Sequence, residues 1–271
     1  MNGSDDLVSY KDSFGIFDEN SIYELAAQSV IGDRDEQQDR FGYDMKGDGG
    51  ITVVCDGMGG HEGGKIASIK SVETIMDIYN RNYPCADYHK LLTDSAYDID
   101  EVVSALKNKD GEKMKAGSTL SAVVINEKKM TWLSVGDSRI YLLRNDELKV
   151  LTRDHNYKLE LDEKLQNGRI DEQDYNREIL NCSSLVSFMG AGRLTMIDCN
   201  DQEFELMSED RILITSDGLY KTLNEYSIKT LISNFTNIRQ AASALESKAN
   251  RTAKNTKALR DNTTFVILKI K

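Results

Sequence analysis

The sequence is poor in the residues that usually mark a zinc or redox site. It has only three histidines and four cysteines in 271 residues. Cys55, Cys85, Cys182 and Cys199 form no C-x-x-C pair, which argues against a structural zinc site and a dithiol motif. Reduced, mostly buried thiols are the expectation. Proline occurs once, so the turns must be made from the 19 glycines together with asparagine and aspartate. Basic side chains are in deficit: 34 Lys and Arg stand against 45 Asp and Glu, a formal charge of −11. That balance excludes a sequence-independent nucleic-acid binder, which needs a basic face to displace counterions from phosphates. No apolar run approaches the roughly 20 residues that a bilayer requires. The start, MNGSDDLVSYKDSF, lacks the charged and apolar regions of a signal peptide. The expectation is a cytoplasmic protein without nucleic-acid or membrane partners.

What is present is enough for a sizeable core, since 39% of the residues are hydrophobic. Residues 22–31 and 40–46 read as short strands, and ITVVC at 51–55 as an apolar strand running into Asp56-Gly57. Ile66, Ile69, Val72, Ile75, Met76 and Tyr79 recur at helical spacing up to a stop near Pro84, and a second helix is expected over Tyr88 to Lys107. STLSAVVI, MTWLSV, RIYLLR and ELKVLT then read as four consecutive strands of one antiparallel meander. Residues 156–181 form a polar helical excursion, a candidate lid. Strands are expected at LTMID, EFELM and RILITS, helices near 224–236 and 238–254, and a last strand at TTFVILKI. This order lacks regular βαβ alternation, so an α+β layered fold is expected, as one domain over residues 1–271.

Aspartates recur at strand ends: Asp39, Asp56, Asp137, Asp217 and Asp261. Any one Asp-Gly or Asp-Asn is most simply a turn, but several strand ends can meet at one sheet edge, where crowded carboxylates repel. A cation relieves that repulsion. Carboxylates with almost no histidine or cysteine nearby are hard oxygen ligands, suited to Mg²⁺ or Mn²⁺. Two such ions can activate a water and stabilise the entering and leaving oxygens of a phosphoryl group. Arg34, five residues before Asp39, is either a solvated arginine or a bidentate phosphate ligand. A competing reading comes from Gly59 to Lys65, which fits the P-loop pattern G-x-x-x-x-G-K between a strand and a helix. Ile66 stands where that motif needs a hydroxyl for Mg²⁺, which counts against a nucleotide hydrolase.

Seven segments in order, R-x-x-x-x-D (Arg34 to Asp39), VCDGMGGHEGG, GSTLSA, VGDSRIYLLR, LTRDHN, LITSDGLY and DNTTFVIL, together resemble the metal-dependent protein serine/threonine phosphatases of type 2C, bacterial type, from about Ala27 to Lys269. The resemblance implies a four-layer αββα sandwich, two antiparallel β-sheets flanked by helix pairs. It implies two Mn²⁺ or Mg²⁺ ions held by Asp39, Asp56, Asp217, Asp261 and the Gly57 carbonyl, with Arg34 binding phosphate. Asp137 matches an aspartate associated with a weaker third ion, and residues 156–181 match a flap beside the active site. The implied activity is hydrolysis of phosphoserine and phosphothreonine in proteins, the products of a serine/threonine kinase, by a metal-activated water.

The sequence also departs from the family pattern. Met58 replaces a histidine proposed as general acid in many eukaryotic members, which leaves His61 or a metal-bound water as the source of the leaving-group proton, with a plain loop role the alternative for His61. Lys221 stands where relatives commonly carry an aspartate, which makes a third metal site doubtful. His155 reads as a structural residue at the start of the flap. A catalytically weak, phosphoprotein-binding pseudo-phosphatase is the alternative; retention of all four metal-pair aspartates argues against it.

Overall fold

Every residue of the strand that contains ITVVC is buried, and so is every residue of TTFVILKI, which means that both faces of these strands are covered. A computed structural model describes residues 13–60, 62–179, 182 and 184–271 and shows what covers them. In chain order, β1 (Ser13–Glu19), β2 (Tyr23–Val30), β3 (Arg40–Lys46), β4 (Gly49–Cys55) and β5 (Gly57–Gly59) lead to helices α1 (Gly63–Asn82) and α2 (Tyr88–Ser104). Next come β6 (Ala116–Ser118), β7 (Leu120–Asn126), β8 (Lys129–Val135), β9 (Arg139–Arg144), β10 (Glu147–Val150), α3 (Tyr157–Gln166) and α4 (Glu172–Glu178). The chain closes with β11 (Asp198–Cys199), β12 (Phe204–Glu205), β13 (Arg211–Thr215), α5 (Asp217–Tyr220), α6 (Glu225–Ser233), α7 (Ile238–Thr256) and β14 (Thr263–Ile270).

One six-stranded sheet has the order β1-β2-β14-β13-β9-β10; the other runs β11-β8-β7-β4-β3, with β12 also on β8. The period-2 geometry of a strand sorts the core into layers. Along β4, Ile51, Val53 and Cys55 face α1 and α2, whereas Val54 faces the second sheet. Along β14, Val266, Leu268 and Ile270 fill the space between the sheets, while Phe265 and Ile267 pack under α6 and α7. The four layers are therefore helix pair, sheet, sheet, helix pair. With proline scarce, helices start on side-chain caps: Asp87, Asn224 and Asn237 accept from the first-turn N–H groups of α2, α6 and α7.

The expected four-strand meander is two hairpins in different sheets. β7 and β8 pair in one sheet and β9 and β10 in the other, so the chain crosses between sheets at Gly136-Asp137-Ser138. Gly136 makes this possible: its φ is +105°, and a Cβ there would meet Thr119 Cγ2 at 2.6 Å. His155, fully buried and just before α3, holds the crossing, donating its backbone N–H to Gly136 O at 2.9 Å and accepting from Gly136 N at 3.2 Å through Nδ1. In place of the LTMID and EFELM strands stand the two-residue β11 and β12, both paired with the edge of β8, and between them the Asn200 side chain accepts from Trp132 N and donates to Met130 O. The described part of the excursion, 156–179, is helical as expected, carrying α3 and α4.

Candidate metal centre

The aspartates arrive at one edge of the sandwich from both sheets. Asp39 immediately precedes β3 and Asp56 immediately follows β4, which lie side by side in register. Asp217 follows β13 and Asp261 precedes β14, again antiparallel neighbours. Asp137 comes from the crossing between the sheets. A cavity of about 530 Å³ opens here, lined by Arg34, Asp56, Gly57, Asp217 and Asp261 among others.

Hydroxyl groups hold the deeper members. Asp39 is 1% exposed and accepts from Ser216 Oγ at 2.7 Å, while its Oδ1 has no partner. Ser216 Oγ in turn accepts from Thr264 N at 3.0 Å, tying β14 to the residue before Asp217. Asp56 N donates to Thr119 Oγ1 at 2.8 Å, and Thr119 N donates to Asp56 O at 2.8 Å. Asn262 accepts from Gln38 N at 2.8 Å, and its amide donates to Ile31 O. Ser216, Thr119 and Asn262 are site residues that the sequence reading does not name; the signal for Ser216 and Asn262 is the small polar residue beside an aspartate, in ITSDG and DNTT, whereas Thr119 stands 63 residues from the Asp56 backbone that it bonds.

The two outer carboxylates are matched by cations. Arg34 Nη2 lies 2.7 Å from Asp261 Oδ2, and Lys221 Nζ lies 2.5 Å from Asp217 Oδ2 and 3.9 Å from Asp137 Oδ2. The inner ones are held against their chemistry. Burial, then the charges of Asp217 and Asp261, push Asp39 up to about 7 against the help of Ser216. Burial followed by Asp39, Asp217, Asp137 and Asp261 raises Asp56 well above the usual carboxylate range. Asp137 is raised to about 6 by burial and Asp217, with Lys221 pulling the other way.

Among the described residues, no three His, Cys, Asp or Glu side chains stand ready at ligand spacing; Asp217 and Asp261 are each ion-paired, with Lys221 and Arg34. The donor set nevertheless fits hard divalent ions. It consists of oxygens alone, one buried carboxylate oxygen has no partner, and the inner carboxyls are strongly destabilised as anions. Asp56, Asp217, Asp261 and Arg34 thus line one cleft, with Asp39 buried at the same edge and Asp137 paired with Lys221. His61 lies outside the described residues. The segment that imitates a P-loop is closed by packing: a Cβ on Gly57 would sit 2.1 Å from Gly64 O, and Lys65 pairs with Glu36 at 3.6 Å.

The sequence matches the model of the protein phosphatase 2C family over residues 28–252. A serine/threonine phosphatase stp of Listeria welshimeri is 28% identical over 222 residues, 80% of this chain and 85% of that protein. The serine/threonine phosphatase of S. agalactiae shares the fold with a TM-score of 0.75 at 22% identity, over 92% of this chain and 100% of that one. The catalytic domain of the phosphatase PstP, solved with two manganese ions, gives a TM-score of 0.72 at 22% identity, over 92% and 98% of the two chains. The carboxylate edge, the layered sandwich and the matched length have one common account: the chain belongs to the protein phosphatase 2C family, the metal-dependent serine/threonine protein phosphatases.

Proposed function

We propose that Asp39, Asp56, Asp217, Asp261 and the Gly57 carbonyl hold two divalent ions, Mn²⁺ or Mg²⁺, and that Arg34 binds the phosphoryl group of a phosphoserine or phosphothreonine in a protein. When bound, such ions activate a water for in-line attack on phosphorus and offset the charge of the phosphoryl oxygens. The chain supplies the rest. Asp56, central to the cluster, is pressed by the charge of four other aspartates. Ser216 fixes one oxygen of Asp39 and leaves the other for a ligand. Arg34 has a side chain that is 62% exposed and held at its tip by Asp261, so it can turn its planar fork to a phosphate dianion. The segment 156–181 is taken as a flap beside the site; just outside its two ends, Val186 N donates to His155 O at 2.9 Å, next to the crossing that carries Asp137.

The observation that carries this reading is the buried, half-partnered Asp39 carboxyl facing Asp56 and Asp217 across the sheet edge. The reading extends to one catalytic domain over residues 1–271 with its flap at 156–181, acting in cytoplasmic signalling opposite a serine/threonine kinase. No helix among the described residues is long and apolar enough to cross a membrane. The test is hydrolysis of phosphoserine and phosphothreonine peptides by purified protein, with Mn²⁺, with Mg²⁺ and with chelator, beside an ATP control. Metal-dependent phosphate release from the peptides with ATP untouched is expected. Peptide binding without turnover at any metal concentration would replace the enzyme with a phosphoprotein-binding module.

A further inference from the structure

Lys221 fills a place that the two-ion reading leaves unassigned. Its backbone N–H donates to Asp217 O at 2.9 Å and so closes the single turn of α5. The turn brings the ammonium back over the turn's own first residue, between Asp217 Oδ2 at 2.5 Å and Asp137 Oδ2 at 3.9 Å. Those two carboxylates belong to different elements and are mostly buried, 17% and 13% exposed, whereas the lysine is 56% exposed. The gap between them is held from outside. Tyr220 OH donates to Asp137 O at 2.9 Å, and the Tyr220 ring lies 3.8 Å from the Arg139 guanidinium, which forks onto both oxygens of Asp154 at 2.8 and 2.7 Å. Two carboxylates fixed around one gap make a cation position, and here the chain occupies it with its own amine.

We propose that Lys221 is the resident cation of the Asp137–Asp217 gap, keeping a divalent ion out of it and passing from Asp217 to Asp137 when the metal pair loads. The proposal rests on the two-ion reading. The ammonium draws on the same Asp217 oxygen that faces the gap, and its charge opposes an incoming divalent ion, so loading weakens that contact, and Asp137 is the carboxylate already within reach. The ammonium then repels any further divalent ion at the gap. Two consequences follow for substitutions. Lys221→Gln removes a competitor for Asp217 and should tighten binding of the pair severalfold, the scale of a largely solvent-exposed ion pair. Lys221→Asp adds a third carboxylate and should open a third position.

The experiment is calorimetric titration of metal-stripped protein with Mn²⁺, together with crystals grown in high Mn²⁺ and read by anomalous scattering. Two ions are expected in the wild type, neither touching Asp137. Two tighter ions are expected in Lys221→Gln, and three in Lys221→Asp, the third on Asp137 and lost again on adding Asp137→Asn. A third ion on Asp137 in the wild type overturns the proposal, as does Lys221→Asp holding only two. If Lys221→Asp does not fold, Lys221→Gln decides, and unchanged affinity for the pair overturns it. Wild-type protein that binds no Mn²⁺ at the four aspartates would overturn the two-ion reading itself.

Discussion

Asp56 and Arg34 sit in the same cleft and should fail in different ways. Asp56 feels four other carboxylates, so its charge is the one most needed to hold the ions together. Asp56→Asn and Asp217→Asn should each lower turnover by at least about a hundredfold, with the fold retained, because both remain nearly isosteric. Near-normal turnover of either at saturating Mn²⁺ would remove that residue from the metal pair. Arg34 has no atom that could ligate an ion, and its partner Asp261 is a proposed ligand. Arg34→Ala should therefore raise KM and the inhibition constant of phosphate without weakening Mn²⁺ binding; freeing Asp261 of this exposed ion pair can only favour the ions, by severalfold at most. A hydrogen bond to a charged group is commonly worth about 1.5 to 3 kcal/mol, or roughly ten- to a hundredfold here. Steady-state kinetics with and without inorganic phosphate would show it, and unchanged constants would make Arg34 a surface residue.

At the scale of elements, the glycines after Asp56 and Asp217 explain why strand ends can meet so closely. From the sequence they read as turn formers, yet neither has a positive φ. Each is needed because another backbone lies against it. A Cβ on Gly57 would stand 2.1 Å from Gly64 O, and one on Gly218 would stand 2.0 Å from Asn262 O. Gly218 thus lets the start of α5 press on the residue after Asp261, and Gly57 lets β5 press on the start of α1. Gly57→Ala and Gly218→Ala should each destabilise the protein by about 1 to 3 kcal/mol, the usual cost of overpacking, and weaken Mn²⁺ binding. Gly60→Ala, with nothing within 4 Å of its Cβ, is the control. Denaturant melts and Mn²⁺ titration would check this; a Gly57→Ala protein as stable and as tight for metal as the control would refute it. The same residues show what a sequence discloses. Strands and aspartates are local signals, so β4, β13, β14 and the carboxylates after or before them were legible, and so were α1, α2 and the helical character of the segment with α3 and α4. The sheet to which each strand belongs was not, because the crossing at Gly136 depends on Thr119 and His155 packing around it. Nor was the support of Asp39, whose hydroxyl partner Ser216 is 177 residues away. β1 went unread because SFGIFDE gains its strand identity by pairing with β2.

For the molecule as a whole, the cluster couples folding to protons and to metal. Folding draws Asp39 and Asp56 from one sheet and Asp217 and Asp261 from the other to a common edge, in a chain already at −11. Without ions, the native state holds protons there more tightly than the unfolded chain does: Asp39 is pushed up to about 7 from 3.8 and Asp137 up to about 6, with Asp56 raised as well. Across the window from about 4 to about 7 the native state therefore binds more protons, so stability is greatest at the acid end and falls as pH rises through the window. Asp198 is shifted the other way by His155 and Arg153, so its contribution is lost only below the ordinary carboxylate range and does not oppose the trend at pH 5. Metal-stripped protein should accordingly melt at a higher temperature at pH 5 than at pH 7.5, and Asp39→Asn should flatten that dependence. Mn²⁺ competes with those protons and binds only the folded state. At a hundred times its Kd it adds about 2.7 kcal/mol, and the gain should be larger at pH 7.5, where fewer protons must be displaced. Melting curves in chelator and in Mn²⁺ at the two pH values test both halves. A metal-free melting temperature that is level or rising from pH 5 to pH 7.5 would mean that the carboxylates at this edge do not share the repulsion from which the metal centre is inferred.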